Sequence, residues 1–131
     1  MAQGKTAVDW VENNCAALTD LSDRVWEFAE VGLQEFRSAK AQEEYLQSLG
    51  FSVQSGVAGM PTAFVASWGK GKPVIGFLGE FDALPGVSQK VQPTKDPVKE
   101  GAPGHGCGHN LLGVAGLAAA AALKAEMEAR G

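Results

Sequence analysis

Val74-Ile75-Gly76-Phe77-Leu78 runs directly into Gly79-Glu80-Phe81-Asp82-Ala83-Leu84-Pro85-Gly86, and this stretch decides the fold class. An apolar run with no polar alternation predicts a strand covered on both faces, the central position of an α/β sheet packed by helices. Groups that bind and react in such sheets collect beyond the carboxyl ends of the strands. Glu80 and Asp82 emerge there, on the same side of the chain if the extended conformation continues. A purely structural reading has Asp82 capping backbone amides at a strand-ending turn, with Pro85 preventing continuation. Chemistry is the favoured reading for Asp82, and the two readings are nearly even for Glu80.

Upstream, Val8, Val11, Cys15, Leu18, Leu21, Val25 and Phe28 recur at helical spacing and predict a helix over about residues 7–30, with Gly32 as its stop and Cys15 in the core. A second helix is expected over about 35–49, carrying Phe36, Ala39, Leu46 and Leu49, with Gly50 ending it. Glu27, Glu30, Glu35, Glu43 and Glu44 read as solvated helix faces. Short β-prone runs follow at Phe51–Val53 and Ala63–Trp68, and Gly69–Pro73 predicts a hairpin turn into Val74–Leu78.

Downstream, residues 86–104 are rich in Gly, Pro and polar residues and form a loop. It leads to His105-Gly106-Cys107-Gly108-His109-Asn110, where Asn110 is a plausible helix cap. The final helix is expected over Leu111 to about Arg130, apolar nearly all round in its first half and therefore buried against the sheet. Gly113, Gly116 and the alanines permit close approach inside it. They do not form a nucleotide-binding loop, which would lie between strand and helix.

Cys107 and His109 leave an extended backbone on the same side, so both can meet one ion. A thiolate and a neutral imidazole suit zinc or a related transition ion rather than calcium or magnesium. Gly106 and Gly108 let the loop fold closely around a ligand. A lone buried Cys or His usually packs or hydrogen-bonds, but alternation with glycine is unusual for core filling. His105 is open between ligand, hydrogen-bond partner of a ligand and loop anchor, the second being preferred.

The chain has 131 residues, a net charge of −4, 45% hydrophobic and 20% charged residues. That suits one modest core and little disorder. No basic run or aromatic-interleaved patch points to nucleic acid. Asp9, Glu12 and Asp20 interrupt any secretory core, no apolar run is read as reaching membrane length, and the two cysteines read as thiols, so the expected location is the cytoplasm.

Gly79-Glu-Phe-Asp-Ala-Leu-Pro-Gly86 and Gly104-His-Gly-Cys-Gly-His-Asn-Leu-Leu-Gly113, supported by Phe28-Ala-Glu-Val-Gly-Leu-Gln-Glu35, resemble the amino-terminal part of the M20 metallopeptidase and amidohydrolase family. The subgroup most similar acts on aminobenzoyl-glutamate and related amides. The resemblance implies that residues 1–131 are the opening portion of a metal-dependent catalytic domain, a mixed sheet packed by helices. It implies divalent-ion ligands at Cys107 and His109, zinc or manganese as the ion, and a role for Asp82 in orienting a metal-binding histidine. Where broader relatives carry that histidine two residues before the Asp, this chain has Glu80. Asn110 stands where many related amidohydrolases have Asp.

The implied reaction is hydrolysis of an amide in an N-acyl amino acid, an aminobenzoyl-glutamate-like compound or a dipeptide. The family's base, its further ligands and its lid or dimerisation domain are not found in the chain, so 131 residues alone are expected to be inactive. A second copy or the missing enzyme portion is the expected partner. The competing reading is a noncatalytic binding or assembly module derived from such an enzyme. A redox or disulfide protein comes third.

Overall fold

A computed structural model describes residues 4–131. Helix α1 spans Lys5–Phe28, α2 Phe36–Ser48 and α3 His109–Arg130, and two strands, β1 at Ser52–Ser55 and β2 at Phe64–Ser67, lie between α2 and α3. The architecture is α/β, with a small sheet packed by helices.

The core follows from the apolar stripes. Leu18 and Leu21 of α1 meet Ala41 and Leu46 of α2, Phe51, and Val114, Leu117, Ala118 and Ala121 of α3. Val25 is fully enclosed. Removing side chains such as Leu21 and Val25 from water contributes roughly 1.5–3 kcal/mol each. The amino-terminal end of the α1 stripe is not part of this core: Val8 and Cys15 are exposed, which corrects the placement of Cys15 in the core. Helix α1 ends before Gly32, with Ala29 in the left-handed region at φ 44° and its amide bonded to the Val25 carbonyl.

Strands β1 and β2 are antiparallel, pairing Ser52 with Ser67 and Ser55 with Phe64. Period-two patterning directs Phe64 and Ala66 toward the core and leaves Val65 half-exposed. The sheet has two strands, so the expected third strand at Val74–Leu78 and the hairpin before it are not formed. Val74 is 84% and Leu78 88% exposed, and among the described residues no backbone hydrogen bond engages 74–82. An apolar run becomes a strand only where a neighbour pairs its backbone groups. Here β1 and β2 pair with each other.

The segment is caught at its far end. The Ala83 amide donates to the Glu30 carbonyl at 2.7 Å, and Leu84 and Gly104 exchange two backbone bonds of 2.9 and 3.0 Å. Before that anchor, the backbone at residues 78–81 lies across the small-residue face of α3. A methyl on Gly79 would sit 3.0 Å from Gly113 Cα, and one on Gly113 would sit 3.0 Å from the Glu80 carbonyl and 3.1 Å from Phe81 Cβ. Glycine is required for that approach, as the sequence suggested.

Helix α3 packs chiefly along α1, and Leu111 and Leu112 remain outside the core. Contrary to the sequence reading, His109–Arg130 is long and apolar enough by composition to cross a membrane, with 39% of its most apolar window buried within the fold. Its amino terminus is capped by Gly108, at φ 78°, and not by Asn110, which lies inside the first turn.

Candidate metal centre

The site forms where the end of the extended segment meets the first residue of α3. The Asp82 carboxylate accepts a hydrogen bond from His109 Nδ1 at 2.7 Å. With Nδ1 carrying the proton, the neutral ring directs the Nε2 lone pair the other way. Glu80 Oε2 stands 3.2 Å from that nitrogen. A ring nitrogen and a carboxylate oxygen at that separation can share one cation. Two donors on one tetrahedral zinc ion, each at about 2.0–2.1 Å, are themselves about 3.3 Å apart. Glu80 and Asp82 thus lie on opposite ring nitrogens of one histidine, which their alternate spacing permits. The His109 side chain is 17% exposed, Asp82 33% and Glu80 59%.

The loop before α3 is fixed at both ends. His105 Nε2 donates to the Val25 carbonyl at 3.1 Å, which makes His105 an anchor of the loop on α1. Its Nδ1 is buried without a hydrogen-bond partner. Burial pushes the His105 imidazole below its ordinary pKa, against the opposing pull of the Val25 bond. Asn110 donates to Ser22 on the same helix, and the Gly108 amide closes the loop on the His105 carbonyl. Val87, from the long loop, covers Gly106, where an added methyl would lie 3.2 Å from its side chain. Cys107 sits exposed between the two anchors.

The donors fit a divalent ion in kind, with sulfur at Cys107, imidazole nitrogen at His109 and carboxylate oxygen at Glu80. They fall short of a closed shell. Among the described residues, no group of three or more His, Cys, Asp or Glu side chains is placed to hold a metal ion.

Two acids read from sequence as solvated faces are structural. Glu30 accepts from the Arg37 and Ser38 amides and the Ser38 hydroxyl, capping the start of α2. Glu35 is 8% exposed and accepts the Thr62 hydroxyl. A methyl on Gly32 would lie 3.9 Å from Glu35 Oε1 and 4.0 Å from Asp82 Oδ2, so this turn borders the site. Ser22 went unread as well. Its signal was a hydroxyl amid Leu18, Leu21 and Val25 on a buried face, where a polar group requires a partner.

No protein-family model matches the chain. Curated relatives do. The chain is 48% identical over 126 residues to one of the subunits of p-aminobenzoyl-glutamate hydrolase from Escherichia coli (strain K12), covering 94% of this chain and 26% of that protein. It is 29% identical over 135 residues to the Xaa-Arg dipeptidase of Mus musculus, covering 95% of this chain and 27% of the relative. The Xaa-Arg dipeptidase of Homo sapiens is 26% identical over 136 residues, with 93% and 27% covered. The chain therefore spans about a quarter of the length of these relatives. Over most of its length, this chain is a homologue of the M20 peptidase family.

Proposed function

We propose that the chain is the amino-terminal, metal-binding portion of a catalytic domain that hydrolyses amide bonds, with Cys107 and His109 holding a zinc or manganese ion. The observation that carries this reading is the His109 ring, bonded through Nδ1 to Asp82 while Nε2 faces Glu80. A histidine ligand commonly donates its other ring proton to a carboxylate, which fixes the tautomer and makes the ligating nitrogen more basic. Asp82 performs that task. Glu80, more open to solvent, supplies an oxygen toward the same point.

A divalent ion held there would lower the pKa of water and stabilise negative charge on an amide oxygen. The relatives' names point to aminobenzoyl-glutamate-like amides or dipeptides as the substrate class, and the same amide chemistry extends the proposal to other N-acyl amino acids. Proton transfer to the leaving nitrogen requires a positioned carboxylate. On this reading that group, and a lid or dimerisation domain, would be supplied by residues outside these 131. The 131 residues alone bind the ion weakly and do not turn over substrate. The proposed location is the cytoplasm.

A chimera tests this, with the chain replacing the matching stretch of the E. coli relative. With zinc or manganese it is expected to hydrolyse aminobenzoyl-glutamate, an N-acyl amino acid or an Xaa-Arg dipeptide, and Cys107→Ser and His109→Ala are each expected to abolish activity. Full activity in both variants would contradict the proposal.

The exposed Val74–Leu78 segment favours a second reading, a noncatalytic assembly module. Sedimentation across a concentration series decides it. A chain that stays monomeric with and without zinc rules out assembly with itself.

A further inference from the structure

His109 opens α3, so the direction of its ring depends on what fixes the first turn of that helix. The adjacent residue, Asn110, is 7% exposed, and its amide nitrogen lies 3.1 Å from Ser22 Oγ and 3.4 Å from the Ser22 carbonyl. Ser22 is itself 4% exposed. A backbone carbonyl only accepts, so the Asn110 amide must turn its NH2 toward α1. A carboxylate at the same place could accept the Ser22 hydroxyl but would set its oxygen against the Ser22 carbonyl in a buried setting, where an unmet polar contact is costly. His105 attaches the loop one turn further along α1, at Val25. Cys107 and His109 lie between these attachments.

We infer that Asn110 is a positioning residue: docked on Ser22, its neutral amide fixes the start of α3 and thereby the alignment of the His109 ring between Asp82 and Glu80. The inference rests on the proposed metal-binding reading for its purpose, and its geometry can be read without an ion. An amide is needed because of what α1 presents, so Asn110→Asp is a disruptive change despite its nearly identical shape. Ser22→Ala keeps the carbonyl and removes only the hydroxyl, and is the milder change.

The test uses the full chain labelled with 15N. In the metal-free protein, long-range proton–nitrogen correlations of His109 are expected to show the proton on Nδ1. Asn110→Asp is expected to lose that single tautomer while circular dichroism retains the helices, and Ser22→Ala to weaken it. By calorimetry, Asn110→Asp is expected to bind zinc about tenfold or more weakly. Variants that keep both the Nδ1 tautomer and the original zinc affinity would overturn the inference. If Asn110→Asp does not fold, Ser22→Ala decides by the same two readings. An unmodified chain that binds no zinc defeats the metal reading, and the metal-free tautomer comparison still decides the role of Asn110.

Discussion

At the scale of single residues, the site turns on one imidazole between two carboxylates. The alternate spacing of Glu80 and Asp82 after an apolar run marked both from sequence, and both reach His109. Which ring nitrogen each would face was not legible, because that depends on where α3 begins relative to the extended segment. Ser22, Glu30 and Glu35 were missed for a related reason: their partners lie across the fold or beyond a turn, and helix periodicity says nothing of such pairs. Asp82→Asn is expected to weaken zinc binding by about tenfold to a hundredfold, since an amide no longer accepts the Nδ1 proton as an anion does. Calorimetry on the full chain checks this, and an unchanged affinity would show that Asp82 does not orient the ligand.

At the scale of elements, the three helices were legible because α1 and α2 carry apolar stripes and α3 is apolar nearly all round in its first half, whereas Val74–Leu78 was not. Its composition reads as a central strand, but a strand belongs to a pair of segments, and no partner for it exists among the described residues. What holds the adjoining residues is instead the small-residue face of α3. This makes the two helix glycines unequal. At Gly113 a methyl would meet Gln42 Oε1 and the Glu80 carbonyl, each at 3.0 Å, whereas at Gly116 the nearest atom is the Leu78 carbonyl at 3.4 Å. Gly113→Ala is therefore expected to destabilise the fold by about 1–3 kcal/mol through overpacking. Gly116→Ala is expected to be neutral or to stabilise by up to about 1 kcal/mol, the gain in helix propensity. Denaturant unfolding of the two variants separates these outcomes, and equal effects would contradict the close approach at Gly113.

At the scale of the whole molecule, the ends of the chain are tied through Glu126. Its carboxylate accepts from the Gly4 and Ala7 amides at the start of α1, where Gly4 provides no side-chain cap, and Arg130 holds it from within α3. The Arg130 bond, aided by those two amides, holds the Glu126 pKa below its ordinary 4.5. The contribution is thus present above pH 4.5 and lost as pH falls through the lowered folded value. Glu126→Gln is expected to lower the melting temperature at neutral pH and to have less effect in acid. An equal loss at both pH values would contradict the linkage. The central claim, that one divalent ion is shared by the thiol and the imidazole on either side of Gly108, is tested most directly by X-ray absorption at the zinc edge on the zinc-loaded chain. The expected first shell contains one sulfur at about 2.3 Å and one imidazole nitrogen at about 2.0–2.1 Å, with the sulfur lost in Cys107→Ser; a shell of light atoms alone in the unmodified chain would contradict the claim.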